Sequence, residues 1–287
     1  MPEIIWFNGR IMPMSEARVS VEDRGFQFAD GVYEAMRLYH GRPFALAAHL
    51  ERLERSAAGI KLAVPMARDA LAEQIRWLVD QSGVREGVLY LQLTRGACPR
   101  NHVWPKPGTC RPTLLFYARP LPPIVAPDQS NGYALWSVRD ERWRKCWIKA
   151  ICLTASALAR NEADEHGADE AVFVDENGIV AEGASSNLFA VIDDVLVTHP
   201  VGPRVLPGVT RAVVLDCARE LGIPANERPL HIDEAKAARE VFITSTTRQI
   251  VPVLKWDDKI VGGGQCGPIT MRLHEALEEA IRRDVVS

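Results

Sequence analysis

The first part of the chain alternates between hydrophobic runs with a strand period and runs with a helix period. Branched and aromatic runs predict strands over residues 4–7, 19–21, 31–39, 88–94 and 112–117. Apolar residues at every third or fourth position predict helices over 46–60 and 68–79. A Gly/Pro/Asn-containing loop over 96–108 separates the last two strands. These elements predict an α+β domain.

The second part of the chain has a similar mixture of short strands and helices. The apolar runs predict strands over residues 146–153, 171–174, 188–192, 195–198 and 241–245. Helical spacing predicts helices over 155–166, 210–221 and 268–283. Asn177-Gly178 between apolar runs predicts a β-hairpin. The second domain is therefore expected to be mixed and rich in hairpins, with helices packed outside.

Four prolines lie close together between Arg119 and Gly132. Proline resists the interior of helices and sheets, so this segment predicts a stiff, extended connection. We therefore expect an N-terminal domain over residues 1–120, a proline-rich linker over 121–132 and a C-terminal domain over 133–287.

Composition excludes several classes of protein. A net charge of −3 argues against a nucleic-acid-binding face. No apolar run is long enough for a transmembrane helix, and the start does not resemble a signal peptide, so a cytoplasmic protein is expected. The six cysteines form no C-x-x-C pair, which predicts reduced packing residues, with no metal site and no disulfide.

Lysine is scarce, with seven lysines against 27 arginines, so the position of each one can be judged. Lys149 lies in the otherwise apolar run 147–153. Burial disfavours the ammonium form and leaves a nucleophilic amine that can form a Schiff base. The alternative, favoured from this segment alone, is a lysine whose ammonium group reaches solvent from a strand edge.

Three further segments contain groups suited to a phosphorylated aromatic cofactor. Glu182 lies between two apolar strands, and a carboxylate facing a pyridine nitrogen would keep that nitrogen protonated. The amides of Val209 and Thr210 begin a helix just after Pro207-Gly208 and could bind an anion. Ser245 and Thr246 end a strand in hydroxyl groups. Each signal alone equally suits a turn acid, a helix cap or a strand end.

A fifth segment, residues 93–102, follows a strand and contains Arg95, Arg100 and His102. Arginine binds carboxylates with two parallel hydrogen bonds, and histidine adds a donor whose charge is tunable near neutrality. The alternative interpretation is a solvated basic loop.

Together, the order and spacing of these segments resemble the fold-type IV pyridoxal phosphate enzymes over nearly the whole chain. Residues 24–34 resemble the N-terminal signature of that family, and Lys149 followed 33 residues later by Glu182 resembles its lysine and acid. Within the family, residues 94–102 are most similar to D-amino acid aminotransferases. The resemblance implies a two-domain fold with a smaller N-terminal α/β sandwich-like domain and a larger C-terminal pseudobarrel domain that has outer helices and binds the cofactor.

The resemblance also implies roles for individual residues. Lys149 would form the Schiff base with pyridoxal 5'-phosphate and transfer the substrate proton, and Glu182 would pair with the pyridine nitrogen. The remaining cofactor contacts implied are Arg52, Leu206, Val209, Thr210, Ser245 and Thr246. Tyr33, Arg100 and His102 would bind the substrate α-carboxylate. In the D-amino acid aminotransferases the neighbouring subunit supplies the arginine and the histidine, so the resemblance implies a homodimer with shared active sites.

The implied activity is a ping-pong transfer of the amino group between D-amino acids, such as D-alanine, D-glutamate and D-aspartate, and 2-oxo acids, such as pyruvate and 2-oxoglutarate. The alternatives are an L-branched-chain or (R)-amine transaminase, an aminodeoxychorismate lyase and a cofactor-binding protein without enzyme activity. Two positions depart from the family pattern, Ala181 and Arg248. Arg248 could enter the pocket and favour dicarboxylates, although a solvent-facing side chain is the favoured interpretation.

Overall fold

The computed structural model describes residues 3–128 and 131–286. The chain forms two compact units. Unit 1 contains the residues through Pro123, the segment Ile148–Cys152 and the residues from Asp284; unit 2 contains Ile124–Trp147 and Leu153–Arg283. The division after Pro123 lies inside the predicted linker, of which residues 129 and 130 are outside the described residues. The predicted domain boundaries otherwise stay a prediction.

Unit 1 is built on a six-stranded antiparallel sheet with the order β2-β1-β6-β5-β3-β4. Its strands are β1 (Ile4–Phe7), β2 (Arg10–Pro13), β3 (Gly31–Tyr39), β4 (Arg42–Pro43), β5 (Gly87–Thr94) and β6 (Thr113–Pro120). In β5, buried and half-buried residues alternate along most of the strand, as expected for a sheet with one face on a core. The strands predicted over 31–39 and 88–94 are confirmed.

Among the described residues, unit 1 contains the α-helices α1 (Arg24–Phe28), α2 (Leu46–Gly59) and α3 (Arg68–Ser82). The apolar residues that predicted α2 and α3 are the ones that are buried, which confirms both helices. The buried face of α2 also contains three polar residues, His49, Arg52 and Ser56. Their spacing of three and four residues places all three on one face.

The segment Ile148–Cys152 differs from the sequence prediction. A strand was predicted over residues 146–153, but the structure shows an irregular segment with one bridge between Val32 and Ala150. The amide of Tyr33 donates to the carbonyl of Lys149 at 3.0 Å, so this segment follows the start of β3 and groups with unit 1. Ile148 and Ala150 in this run are buried, and hydrophobicity alone does not distinguish such an irregular buried segment from a regular strand.

The loop between β5 and β6, residues 96–112, contains a second difference from prediction. Cys98 and Cys110 form a disulfide across the loop, with their Cα atoms 6.0 Å apart, so the expectation of six reduced cysteines is wrong for this pair. The other four cysteines are free. Gly96 has φ +88°, and a Cβ there would meet the carbonyl oxygen of Arg111 at 1.9 Å, so only glycine fits where the loop begins.

Unit 2 is built on a ten-stranded sheet with the order β12-β11-β10-β14-β15-β7-β8-β9-β13 and β16 beside β15. Its strands are β7 (Tyr133–Arg139), β8 (Glu170–Val174), β9 (Ile179–Gly183), β10 (Asn187–Ile192), β11 (Val195–Thr198), β12 (Ala225–Glu227), β13 (Leu230–His231), β14 (Glu240–Ser245), β15 (Gln249–Trp256) and β16 (Lys259–Ile260). The predicted Asn177-Gly178 hairpin joins β8 and β9.

The helices of the second half of the chain are α4 (Thr154–Glu165), α5 (Val209–Glu220), α6 (Ile232–Lys236) and α7 (Pro268–Val286). Helix α4 connects the parallel strands β7 and β8, as such connections require. An apolar cluster that includes the fully buried Trp256 forms a core of this unit. The predicted strand over 19–21 is absent, because that segment is exposed and pairs with no strand. None of the helices described has the length and apolar content needed to cross a membrane.

Candidate active site

In unit 1, Lys149 lies beside Tyr33 of β3, one of the residues predicted to bind the substrate. Its Nζ donates to the hydroxyl of Tyr33 at 3.3 Å and lies 4.3 Å from the centre of the Tyr33 ring. Its backbone N–H donates to Oγ of Ser56 on α2 at 3.1 Å. Lys149 is half-buried, and it forms no ion pair with a carboxylate of the described residues. The amine is therefore oriented by a phenol and a helix face and is not neutralised by an acid.

The residue after Tyr33, Glu34, points into a fully buried ion pair. Arg52 donates to Glu34 through Nε at 2.8 Å and Nη2 at 2.7 Å. His49 Nδ1 lies 2.7 Å from the same carboxylate and must be the donor, because an ionised carboxylate only accepts. Sequence reasoning assigned no role to Glu34 or His49. The signal that was available is a charged residue inside an apolar strand, followed by a helix with polar residues at positions i and i+3 on its apolar face.

Burial alone would raise the pKa of Glu34, but the charge of Arg52 and the hydrogen bonds from Arg52 and His49 lower it to about 2. The pKa of His49 is also lowered, first by burial and further by the charges of Arg52 and Lys149, against the opposing effect of Glu34. The group is therefore a carboxylate, a guanidinium and a neutral imidazole at neutral pH.

In unit 2, Glu182 near the end of β9 is almost completely buried and accepts hydrogen bonds from Arg142, Asn187 and the Leu206 amide. Arg142 donates to Oε1 through Nη1 at 2.7 Å, and Oε2 accepts from Asn187 Nδ2 at 3.0 Å and from the Leu206 amide at 2.9 Å. Arg142 is in turn bound by Asp140 and lies over the Phe173 ring, with 3.9 Å from Cζ to the ring centre. These donors favour the ionised form of the carboxylate. Sequence reasoning missed Arg142 and Asn187.

Three residues after Leu206, helix α5 begins at Val209, with Gly208 as its N-cap. A Cβ on Gly208 would lie 2.0 Å from Oδ1 of Asn187, so glycine is required for the close approach between this turn and β10. Val209 and Thr210 are buried in the first turn, where backbone amides are available to an anion. Ser245 ends β14 and Thr246 follows it in the turn to β15, both half-buried.

The predicted substrate residues of the 96–112 loop form no hydrogen bond or ion pair with Lys149 in the described residues. Arg100 and His102 are exposed, and within the described chain neither forms a hydrogen bond or ion pair with Tyr33 or Lys149. Arg248 is also exposed and lies over the ring of Tyr133, with 5.2 Å from Cζ to the ring centre. This placement agrees with a solvent-facing Arg248.

The described residues fit a pyridoxal phosphate group. In unit 1, the Lys149 amine is not engaged by an acidic side chain of the described residues, which leaves it available for carbonyl chemistry. In unit 2, an ionised Glu182 suits a protonated pyridine nitrogen, and the first turn of α5 suits a phosphate. Arg52 is buried and donates twice to Glu34, so its contact with a phosphate stays a prediction.

Comparison with known proteins gives the family. The family model described as amino-transferase class IV matches residues 31–256. The chain is 40% identical over 279 residues to a D-alanine aminotransferase of Bacillus licheniformis, covering 96% of each chain. It is 39% identical over 277 residues to one of Listeria monocytogenes, covering 96% of this chain and 95% of the relative.

Solved structures agree with these matches. A branched-chain amino acid aminotransferase of Escherichia coli has TM-score 0.90 at 29% identity, covering 98% of this chain and 95% of the other. A second branched-chain amino acid aminotransferase, solved with pyridoxamine 5'-phosphate, has TM-score 0.90 at 30% identity, covering 99% of this chain and 95% of the other. The fold-type IV architecture expected from the sequence is thereby confirmed.

Proposed function

Since the chain belongs to the class IV aminotransferases, which use pyridoxal 5'-phosphate, we propose that it transfers amino groups between D-amino acids and 2-oxo acids. The observation that carries the chemistry is the Lys149 amine on the hydroxyl of Tyr33 without an acidic partner among the described residues. The preference for D-amino acids is supported by the D-alanine aminotransferases that match nearly the full chain.

When bound, the cofactor supplies an electron sink that makes the substrate α-proton acidic. Glu182, Leu206, Val209, Thr210, Ser245, Thr246 and Arg52 would hold the cofactor, with Glu182 keeping the pyridine nitrogen protonated. Lys149 Nζ would move a proton from the substrate α-carbon to the cofactor in the first half-reaction and in the opposite direction in the second. Tyr33 orients that amine, and Ser56 fixes the backbone behind it.

We further propose a homodimer in which Arg100 and His102 bind the α-carboxylate of a substrate in the partner's site. Support comes from their exposure and from the lack of any hydrogen bond or ion pair to Tyr33 or Lys149 in the described residues. Arginine and histidine at this exposed position have donors available for a carboxylate. A cytoplasmic location stays a prediction.

Mixing two inactive variants tests the sharing of sites. Lys149→Ala and Arg100→Ala homodimers, unfolded together and refolded, should regain about a quarter of the wild-type activity, because half of randomly paired C2 dimers contain one intact site. Each variant refolded alone is the control. No recovery in the mixture would contradict the shared site, whereas a monomer by light scattering would contradict the dimer.

The donor specificity is tested with the purified holoenzyme and its absorbance spectrum. D-alanine should change the cofactor absorbance near ~400 nm, and L-leucine should not; D-alanine should also yield pyruvate in an amount equal to the amino group transferred. Lys149→Ala should lower the rate by about 10²–10⁴-fold. A response to L-leucine alone would overturn the assignment of Arg100 and His102, and pyruvate formed from aminodeoxychorismate without an amino acceptor would indicate the lyase.

One observation favours a second candidate, an L-branched-chain aminotransferase. The solved structures with TM-score 0.90 are branched-chain enzymes, although at 29% and 30% identity. The Arg-Asn-His sequence of the 96–112 loop argues for the D-specific function, since it places two carboxylate donors on one exposed loop. Comparison of the rates with D-alanine and L-leucine decides between them.

A further inference from the structure

The ring of Phe28, at the end of α1, lies among three cationic or ionisable side chains. The guanidinium carbon of Arg24 is 4.6 Å from the ring centre, and that of Arg100 is 4.9 Å from it. The His102 ring packs edge-on at 5.5 Å, with an angle of 65° between the planes. One aromatic ring thus contacts both predicted carboxylate-binding residues of the 96–112 loop.

Stacking leaves the hydrogen-bonding edge of a guanidinium free. The five N–H donors of arginine lie in its plane, so a ring under that plane stabilises the group without using a donor. Arg24 is different, because its donors are used: Nε donates to Asp30 at 2.8 Å, and Nη1 donates to the carbonyl of Asn101. Phe28 therefore contacts one arginine with a structural role and one with no acidic partner in the described chain.

Arg24 fixes the backbone of the loop between Arg100 and His102. Besides the Asn101 carbonyl bond, its own amide donates to the Gly96 carbonyl at 2.9 Å. Oδ1 of Asn101 accepts the amide of Val103 at 2.9 Å, which closes a local turn. Arg100 and His102 lie on either side of Asn101 in the sequence. Their placement in the structure therefore depends on the buried side chain of Arg24 in α1.

Asp30 gives this arrangement its charge balance. It pairs with both Arg24 and Arg95, and Arg95 in turn lies over Trp104 of the same loop, with 4.5 Å from Cζ to the ring centre. Among the described residues, Asp30 is the carboxylate that pairs with Arg24 and Arg95, and no carboxylate lies within ion-pairing distance of Arg100. The positive charge of Arg100 is therefore not neutralised, which favours binding of an anion.

We propose that Phe28 and Arg24 are positioning residues that set Arg100 and His102 for the α-carboxylate of the substrate. The proposal rests on the carboxylate-binding role given to Arg100 and His102 in the proposed function. Phe28 contacts the His102 ring edge-on and lies under the Arg100 guanidinium, and Arg24 holds the peptide between them. The ligand class is an α-carboxylate with one negative charge, from a D-amino acid or a 2-oxo acid.

The test compares variants of the holoenzyme by the binding of propionate, a carboxylate without an amino group, measured by calorimetry. Phe28→Leu should raise the dissociation constant of propionate and the KM for D-alanine by roughly 2- to 30-fold, the range of a cation–π contact. The kcat should change little. The KM for D-alaninamide, which lacks the carboxylate charge, should not change. Phe28→Tyr, which keeps the ring face, should restore wild-type values.

Two further variants serve as a control for loss of a phenylalanine ring and as a test of Arg24. Phe44→Leu is the matched control, because Phe44 is a buried phenylalanine of unit 1 that packs edge-on against Tyr39 and has no stacked cation among the described residues. It should leave propionate binding unchanged. Arg24→Gln should raise the KM for D-alanine as Phe28→Leu does.

If Arg100→Ala weakens propionate binding and Phe28→Leu does not, the positioning role is overturned and the proposed function survives. If Arg100→Ala itself leaves propionate binding unchanged, the carboxylate role fails and the inference fails with it. If Phe28→Leu raises the KM for D-alanine and D-alaninamide equally, Phe28 acts through general stability, and the proposal is overturned.

Discussion

Two arginines of unit 1 show opposite ways of placing a positive charge. Arg52 on α2 is buried and donates twice to Glu34, a carboxylate that is completely enclosed. Arg100 on the 96–112 loop is exposed and lies over the Phe28 ring. The first charge is fixed by an acid, and the second is fixed by an aromatic face.

The difference has a physical reason. A buried charge must be paired, because desolvation without a partner costs several kcal/mol per ion. A charge intended for a substrate carboxylate must keep its donors, since an internal acid would compete with the ligand. The α2 face should therefore control stability and the orientation of Lys149, and the loop should control carboxylate affinity.

The largest expected effect is on the α2 face. Glu34→Ala should lower the free energy of unfolding by about 3–5 kcal/mol, since it removes the carboxylate that Arg52 and His49 bind inside the protein. Glu54→Ala is the matched control, because Glu54 pairs with Arg68 where both are exposed, and such pairs contribute about 1 kcal/mol or less. Urea unfolding of both variants is the measurement. Equal losses would contradict the comparison.

The acid dependence of stability tests the same group. Because the pKa of Glu34 is lowered from 4.5 to about 2, its contribution is complete above pH ~4.5 and is lost as the pH falls toward 2. The difference in unfolding free energy between wild type and Glu34→Gln should therefore shrink as the pH falls below 4.5. This difference is measured by urea unfolding at several pH values between neutrality and the acid limit of folding. A constant difference would show that Arg52 and His49 do not lower the pKa of Glu34.

On the loop, the Cys98–Cys110 disulfide should contribute about 3 kcal/mol if its effect is on the unfolded chain. Replacing both cysteines with serine should lower Tm and raise the KM for D-alanine, because the loop that carries Arg100 is less constrained. Cys152→Ser, at an exposed free cysteine, is the control. Wild type in dithiothreitol should match the double variant; an unchanged Tm in reductant would contradict a stabilising disulfide.

The smallest effect is expected at Arg248, which is stacked on Tyr133 much as Arg100 is stacked on Phe28. Arg248→Ala should change the ratio of D-glutamate to D-alanine rates by about 2-fold or less, the limit for an exposed substitution. Steady-state kinetics with both donors measures this ratio. A selective loss of D-glutamate activity would show that stacking at this second position also serves substrate binding.

Most regular elements of the fold could be predicted from hydrophobic periodicity, among them α2, α3 and the central strands β3 and β5. Short elements such as α1, β12 and β13 were missed because they contain too few residues for a period to show, and the longer strands β7 and β15 were missed as well. The run around Lys149 was misassigned as a strand because apolar composition reports burial and not hydrogen bonding. The disulfide was missed because spacing does not reveal which cysteines meet.

The sequence by itself determined the family, the cofactor and the candidate lysine, because these depend on residue types in a fixed order along the chain. Only the tertiary structure decided that Glu34 binds Arg52 and His49, that Arg142 and Asn187 bind Glu182, and that Phe28 contacts both Arg24 and Arg100. These contacts join residues that are distant along the chain or separated by a turn. Their strength depends on burial and donor geometry, which no local pattern records.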